Sequence, residues 1–433
     1  MPKKGMIIKM KMEHKERELK KGIKLHQIQT DKFKTNLMAV FLTTSLKRET
    51  VTQNALISSV LRRGSKNMPS QEQISKEMEE MYGAAFDCGL DKTGDNQVLK
   101  FYLETINDNF LPQSGENMLK TAMEKLLEIV FNPYIEQDGF KPEYVEQEKE
   151  NVKQRIEAKI DNKAKYALDR CIEEMYQGEP YGLYKFGYVE DLEKFDAKNL
   201  YQAYQDLIKN CKIDIFVSGM LDDKIEEELM QNENIQNLEE RQADYKIPKM
   251  TPKKSETENV VTESMDVSQG KLVLGLDLDL EQEEIKYDGL LYNSILGGSA
   301  NSKLFQNVRE KAHLAYVASS SYMRYKNNIF INSGIEIENY ERALNLIKEQ
   351  IQEMREGKFT EEEIENAKKG IISGIQTIED EQDTQIIYYY GQELSNYQMT
   401  IEEYKEKVMK VSKEDILAVA NKVSINTVYF LKN

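Results

Sequence analysis

The sequence predicts an α+β protein built from two tandem homologous domains, each an antiparallel-rich sheet with helices packed on one face. Three observations predict this fold. The chain carries an internal repeat, its strands are grouped beside long helical segments without strict β-α alternation, and its composition of 40% hydrophobic and 31% charged residues is that of a globular protein. Its 433 residues leave roughly 200 for each domain.

The repeat is clearest in two helical segments that lie 219 residues apart. Residues 140–156 read FKPEYVEQEKENVKQRI, and residues 359–375 read FTEEEIENAKKGIISGI. Five positions are identical without a gap, and in each half a helix precedes the segment while further helices and a terminal strand follow it. Chance similarity between acidic amphipathic helices is the alternative. The shared order of the flanking elements favours a duplication.

Each half is predicted to open with a strand and a helix and then to add further strands. Apolar stretches bounded by turn residues, some with alternating polarity, indicate the strands, and longer apolar periodic stretches indicate the helices. The predicted strands are 35–42, 97–104 and 213–218 in the first half and 271–280, 317–324, 328–335 and 427–431 in the second, and the first helices are 52–63 and 287–297.

Charge and composition set the predicted domain boundaries. Residues 1–23 are interpreted as a solvated basic extension, because residues 1–21 hold eight Lys and Arg against three Glu. Residues 221–258 hold eleven acidic and six basic residues and two prolines, which is typical of a charged linker. The N-terminal domain is therefore expected at 24–220 and the C-terminal domain at 259–433.

Composition also excludes several classes of function. The formal net charge of −16 argues against a nucleic-acid binder, which needs concentrated Lys and Arg. No run approaches the roughly 18 apolar residues of a membrane span, so a membrane partner is not expected. Cys88, Cys171 and Cys211 are an odd set without a C-x-x-C spacing, which favours the reducing cytoplasm over a disulfide framework.

The histidine inventory restricts the metal chemistry. The chain has three histidines, His14, His26 and His313, and they are widely separated in sequence. His14 falls in the basic extension. Any mechanism that requires two histidines from one helix is therefore excluded.

The segment with the most chemical content is residues 302–325, SKLFQNVREKAHLAYVASSSYMRY. It predicts a helix that runs into a serine-rich strand, with Arg309 near the helix end and Tyr316 at the start of the strand. A guanidinium and a phenol placed together suit a carbonyl or carboxylate group. Physical reasoning alone still favours a surface ion pair for Arg309 and a core position for Tyr316.

This segment resembles the C-terminal half of the M16 family of insulinase, pitrilysin and mitochondrial processing peptidase. The family pattern L-x-x-x-V-R-E-x-x-x-L-A-Y stands here from Leu304 to Tyr316. The first half is also similar, in residues 54–70 and in the Tyr-Gly-Ala of residues 82–84. The resemblance covers the chain after about residue 24, and it implies duplicated α+β halves.

The resemblance also implies that the zinc site of active M16 peptidases is lost. The positions of the H-x-x-E-H motif correspond to Ala55, Ser58 and Ser59, and only Glu148 matches a metal ligand, the distal glutamate. One carboxylate does not hold a tetrahedral zinc, so no metal and no cofactor is expected, and Glu148 is interpreted as a vestigial ligand position. The substrate-binding pair of the family is intact as Arg309 and Tyr316.

This asymmetry leads to the hypothesis of a non-catalytic subunit in a two-chain M16 peptidase. The partner would be a second M16 chain bearing H-x-x-E-H, or a second copy of this chain, and a peptide would lie in the shared chamber. The stretches KFKTN, LRRG and MEEMYGA are most similar to Firmicutes proteins associated with the aminopentanol modification of elongation factor P. A purely structural scaffold subunit and an independent peptidase are the alternatives.

Overall fold

The computed structural model describes residues 12–111, 117–241, 257–279 and 287–433. These ranges contain thirteen β-strands. The strands are β1 (Glu13–Lys20), β2 (Ile23–Gln29), β3 (Thr35–Ser45), β4 (Ala85–Thr93), β5 (Asn96–Ile106), β6 (Ile135–Glu136), β7 (Gly139–Phe140), β8 (Lys212–Gly219), β9 (Asn259–Ser264), β10 (Gly270–Leu278), β11 (Ala315–Met323), β12 (Asn328–Ile335) and β13 (Val423–Lys432).

The same ranges contain fifteen α-helices and a π-helix, Leu304–Lys311. The α-helices are α1 (Val51–Leu61), α2 (Gln71–Glu80), α3 (Met118–Phe131), α4 (Pro142–Glu157), α5 (Lys163–Met175), α6 (Val189–Leu192), α7 (Ala197–Asn210), α8 (Ile225–Gln231), α9 (Glu233–Gln236), α10 (Tyr287–Leu296), α11 (Tyr340–Arg355), α12 (Glu361–Gln376), α13 (Gln382–Ser395), α14 (Ile401–Lys410) and α15 (Lys413–Ala420). None of these helices is long and apolar enough to cross a membrane.

Two sheets repeat one topology, which confirms the predicted α+β fold of two homologous halves. The first has the order β1-β2-β8-β3-β5-β4, and the second has the order β11-β12-β10-β13-β9. In each sheet a long strand, β3 or β10, lies between two antiparallel neighbours. The last strand of each half pairs in parallel with one further strand, β8 with β2 and β13 with β9. Strand β1 is an addition to the first sheet.

The chain forms two compact units, and each unit is made of three separate segments. The described residues of the N-terminal unit lie within Met1–Ile156, Lys185–Lys246 and Ile378–Leu394. Those of the C-terminal unit lie within Glu157–Tyr184, Ile247–Thr377 and Ser395–Asn433. The predicted sequential division at residues 220 and 259 does not describe this arrangement, because a stretch of each half belongs to the other unit.

The exchanged stretches are the two copies of one helix. Helices α5 and α13 begin at Lys163 and Gln382, 219 residues apart, which is the spacing of the internal repeat. Helix α5 packs on β10 and β13 of the C-terminal unit, where Ala167, Cys171 and Ile172 join the buried cluster. The backbone of β10 approaches closely at Gly275, where a Cβ would lie 2.8 Å from the Met175 sulfur. A larger residue at this position would have to displace the Met175 side chain.

Helix α13 completes the N-terminal unit in the same way. The ring of Tyr390 meets Phe41 edge-on at 4.9 Å, and its hydroxyl lies 2.7 Å from Thr43 Oγ1, so both contacts are with β3. Gln382 Nε2 donates to the Ser218 carbonyl oxygen at 2.8 Å, at the end of β8. Buried polar groups without partners are costly, so these hydrogen bonds fix the helix on this sheet as well as its apolar contacts do.

The stretch predicted to be a basic extension contains β1, whose residues pair with β2 from Glu13 opposite Gln29 to Lys20 opposite Ile23. A tight turn at Gly22, which has a φ of +75°, joins the two strands. The Lys15 and Arg17 side chains of β1 are exposed, whereas the His14 ring contacts α13. The predicted linker also differs, because it begins with α8 and α9, and its residues 242–256 lie outside the described ranges.

A chain of polar contacts ties β1 to the interior of the N-terminal unit. His14 Nε2 lies 3.2 Å from His26 Nδ1, and His26 Nε2 lies 3.1 Å from the fully buried carboxylate of Asp214. Burial alone would raise the pKa of Asp214, but Lys212 and His26 outweigh it and lower that pKa to about 2. Two histidines that the sequence separates are thus neighbours.

Helix α13 closes this network from the other side. The Tyr389 ring stacks on His14 with centroids 3.9 Å apart, and Glu393 pairs with Lys212 at 2.9 Å and Lys24 at 2.7 Å. Burial and the neighbouring His26 lower the pKa of His14 to about 3. His14 is therefore neutral in the folded protein at neutral pH, and protonating it opposes the fold.

The first prediction concerns the exchanged helix. Tyr390→Phe and Thr43→Val should each lower the free energy of unfolding by roughly 1–2 kcal/mol, because each leaves a buried hydroxyl without this bond. The double variant should lose clearly less than the sum, by roughly 1 kcal/mol. Chemical denaturation of all four proteins measures this coupling. Strict additivity would contradict packing of α13 on β3.

The second prediction concerns pH. An unfolded histidine titrates near 6.5, so between pH 6.5 and 3 the unfolded chain binds the proton that folded His14 does not. The stability contributed by neutral His14 is fully present above pH 6.5 and falls as the pH drops, by about 1.4 kcal/mol per pH unit at most. Denaturant titrations at pH 7 and pH 5 should show that the free energy of unfolding falls less with pH in His14→Phe than in the wild-type protein. The exposed His313 gives a matched control, since His313→Asn should keep the wild-type loss.

Candidate functional site

The three positions that match the lost zinc motif face inward on α1. Ala55, Ser58 and Ser59 are all buried, and Ala55 belongs to the hydrophobic core of the N-terminal unit. The hydroxyl of Ser59 donates to the Ala55 carbonyl oxygen at 3.2 Å, so it is satisfied within its own helix. These side chains therefore act as helix packing residues.

Glu148 lies on α4, and its side chain is 5% exposed. Its carboxylate accepts a hydrogen bond from Arg63 Nε, in an ion pair, and another from Asn151 Nδ2 at 3.1 Å. Arg63 follows α1 directly and also donates to the Gln71 side chain at 3.4 Å. The position that matches the distal metal ligand is thus engaged by a guanidinium.

The residues present do not fit a zinc ion. A structural or catalytic zinc takes three or four nitrogen, sulfur or carboxylate ligands, whereas α1 offers a methyl group and two hydroxyls here. Among the residues that the structure describes, no cluster of three or more His, Cys, Asp or Glu is placed to hold a metal.

Instead, a cavity of about 290 Å³ opens beside Glu148. It is lined by Arg62, Arg63, Gln71, Glu148, Asn151 and Arg155, so three guanidiniums face one carboxylate. Sequence reasoning noted Arg62 and Arg63 only as part of the LRRG turn and missed Arg155. Five of these six residues lie on α4 or at the end of α1, and Gln71 begins α2. Their convergence follows from tertiary packing, which local sequence does not report.

Cys88 lies at the margin of this region, on the edge strand β4. Its sulfur lies 3.8 Å from the Ser58 carbonyl oxygen. Burial raises the pKa of the Cys88 thiol to about 11, although Arg62 and Arg155 are near enough to oppose the shift. The thiol is therefore protonated at neutral pH and is not an activated nucleophile.

Arg309 lies in the C-terminal unit, near the end of the π-helix. Its guanidinium carbon lies 4.5 Å from the centre of the Phe305 ring, and its Nε lies 3.6 Å from the Glu310 carboxylate. The side chain is 42% exposed. This is the surface ion pair that physical reasoning favoured, with a ring beneath it that orients the guanidinium.

Tyr316 lies on β11, an edge strand of the second sheet. It is therefore not in the core, the position that physical reasoning from the sequence favoured. Ala315 pairs with Ile335 and Val317 with Gly334, so Tyr316 is the extra residue of a β-bulge. The bulge leaves Tyr316 62% exposed. Its hydroxyl donates to Glu336 at 2.8 Å, and this bond raises the pKa of the phenol, which stays protonated at neutral pH.

The structure therefore places Arg309 and Tyr316 on adjoining elements, since the π-helix packs against β11. Each pairs with a different carboxylate, Glu310 for the guanidinium and Glu336 for the phenol. His313, with a φ of +53°, lies in the short turn between them. Both groups face solvent beside an unpaired strand edge, whereas Glu148 belongs to the other unit.

Comparison with known proteins gives the family. Residues 194–371 match the family model described as the peptidase M16 inactive domain. The chain is 34% identical, over 95% of its own length and 96% of the relative's, to a Bacillus subtilis protein named probable inactive metalloprotease YmfF.

Two solved structures share the fold. A conserved protein from Enterococcus faecalis superposes with a TM-score of 0.87 at 30% identity, covering 97% of this chain and 98% of that one. A peptidase M16 inactive domain from Pseudomonas fluorescens superposes with a TM-score of 0.77 at 17% identity, covering 98% of both chains. This chain, built from duplicated α+β halves, belongs to the peptidase M16 family and is an inactive-type homologue within it.

Proposed function

We propose that this chain is the zinc-less subunit of a two-chain M16 peptidase and supplies Arg309, Tyr316 and half of the chamber that holds a peptide. Its partner is a second M16 chain bearing H-x-x-E-H, or a second copy of itself, and the pair acts in the cytoplasm. One observation carries the proposal. The positions of the metal motif are closed and packed, while Arg309 and Tyr316 remain open to solvent.

The chemistry of the two side chains suits a peptide backbone. The planar guanidinium of Arg309 offers several N–H donors in one plane, and the Tyr316 hydroxyl adds a directional donor. Both can bind carbonyl oxygens of an extended peptide or stabilise charge that develops on one of them. In this proposal the metal chemistry belongs entirely to the partner.

The strand that carries Tyr316 supports the same function. Strand β11 is at the edge of its sheet, and an edge strand can pair through its backbone with an added extended peptide. The bulge at Tyr316 turns the phenol toward solvent at the start of that edge. A bound peptide would therefore meet backbone donors and the Tyr316 hydroxyl together.

The present partners of the two side chains are easily exchanged. Arg309 and Glu310 are both largely solvated, and exposed ion pairs contribute little to stability. The Tyr316 phenol is protonated at neutral pH, and the Glu336 carboxylate raises its pKa further, so it stays a hydrogen-bond donor. Substrate oxygens can replace these carboxylates at small energetic cost.

The third prediction tests the proposed two-chain peptidase. The purified chain alone should hold no stoichiometric zinc and cleave no peptide, and co-expression with an H-x-x-E-H chain of the same organism should give peptidase activity. Arg309→Ala and Tyr316→Phe should each lower kcat/KM of that pair by roughly 10- to 100-fold, since each removes a donor to the reacting peptide.

Matched controls come from the same unit. Arg342 and Tyr340 lie on α11, outside the β11 edge, so Arg342→Ala and Tyr340→Phe should leave kcat/KM within about twofold of wild type. If the Arg309 and Tyr316 variants assemble with the partner and turn over at the wild-type rate, the chain is a scaffold. Peptide cleavage by the chain alone would indicate an independent peptidase.

We propose further that the pathway served is the modification of elongation factor P. The stretches KFKTN, LRRG and MEEMYGA, which resemble the proteins associated with that modification, support this. The fourth prediction is that deleting the chain's gene changes the intact mass of elongation factor P, and that the wild-type gene restores it. An unchanged mass in the deletion strain would reject this link while leaving the peptidase proposal standing.

A further inference from the structure

We propose that the cavity beside Glu148 binds an oxyanion, the carboxylate or phosphate group of a small ligand. The cavity is lined by three arginines and one carboxylate. Since Glu148 neutralises one of these charges, the lining retains an excess of two positive charges. Such a site repels a metal cation and attracts an anion.

Two of the three arginines, Arg63 and Arg155, are held in place by contacts with neighbouring side chains. Arg63 is fixed by Glu148 on one side and by Gln71 on the other. Arg155 lies over the Phe186 ring, with its guanidinium carbon 5.3 Å from the ring centre. Stacking uses the face of a guanidinium, and an oxyanion binds in its plane, so the two contacts are compatible.

The remaining lining residues suit the same ligand. Gln71 and Asn151 carry amide groups, which donate hydrogen bonds to oxyanions without adding charge. The volume of about 290 Å³ is at the small end of ligand pockets, large enough for a phosphate or for the carboxyl end of a short peptide.

Like charges that converge repel one another, and a bound anion removes this repulsion. Arginine binds carboxylate and phosphate in the same bidentate geometry, so the lining by itself does not select between them. The excess charge also sets the direction of the effect of each substitution. Removing an arginine weakens anion binding, and removing the Glu148 charge strengthens it.

The experiment is calorimetric titration of the full-length chain at low ionic strength with inorganic phosphate and, separately, with acetyl-Ala-Ala carrying a free or an amidated C-terminus. One of the two oxyanions, phosphate or the free carboxylate, should bind with one-to-one stoichiometry, and the amidated peptide should not. Arg62→Gln and Arg155→Gln should each weaken binding by about tenfold or more. Glu148→Gln, which is nearly isosteric, should tighten it severalfold.

Arg342→Gln is the matched control, because Arg342 is an arginine of the other unit that does not line the cavity, and it should leave the affinity unchanged. Cys88 supplies a second readout that needs no substitution. The bound anion should slow alkylation of Cys88 by iodoacetamide, whereas the buried Cys171 and Cys211 serve as internal references.

Several results would overturn the proposal. These are no binding of either oxyanion, equal affinity in Arg62→Gln, weaker binding in Glu148→Gln, or unchanged alkylation of Cys88. Stoichiometric Zn²⁺ binding that depends on Glu148 would show a metal site instead. The test needs no partner chain and does not involve Arg309 or Tyr316, so its outcome is separate from that of the proposed peptidase function.

Discussion

The structure depends on the exchange of one helix between its two halves. Each sheet presents an apolar face, and in each unit part of that face is covered by a helix whose sequence belongs to the other half. Helix α13 brings Tyr390 to Phe41 and Thr43, and α5 brings Cys171 to the cluster around Phe330. Neither unit is complete from contiguous sequence. The folding of each half therefore requires residues that are distant in the chain, as with Tyr390 and Thr43, which are 347 positions apart.

The sequence predicts the local elements and the repeat well, because both are recorded in short-range patterns. The predicted strand 328–335 and the strands near 35 and 271 lie where the structure has β12, β3 and β10. The exchange could not be predicted in this way. Helices α5 and α13 stand at equivalent positions of the repeat. The sheet that each one covers depends on contacts between residues distant in sequence, such as Met175 with Gly275 and Tyr390 with Thr43.

The candidate site shows the same difference between local patterns, which the sequence records, and long-range contacts, which it does not. The family pattern identifies Glu148, Arg309 and Tyr316 by position, yet it says nothing of their partners. The bulge that exposes Tyr316 depends on its register with β12, and the contact between His14 and His26 depends on the pairing of β1 with β2. A strand of basic and acidic residues such as β1 has little apolar alternation, so its sequence resembles a solvated extension. Its place in the sheet comes from backbone pairing with β2 and from inward contacts such as those of His14 and Leu19.

Electrostatics explains how Glu148 remains buried without a metal. A buried carboxylate needs a compensating charge and hydrogen bonds, and once the other ligands are replaced by Ala55, Ser58 and Ser59 no metal supplies them. The guanidinium of Arg63 provides both, so this pair is fixed by the cost of separating two buried charges. Arg309 and Glu310 are largely solvated, and little is lost when they part. A partly solvated pair can separate at little energetic cost, whereas the pair of Glu148 and Arg63 stays together.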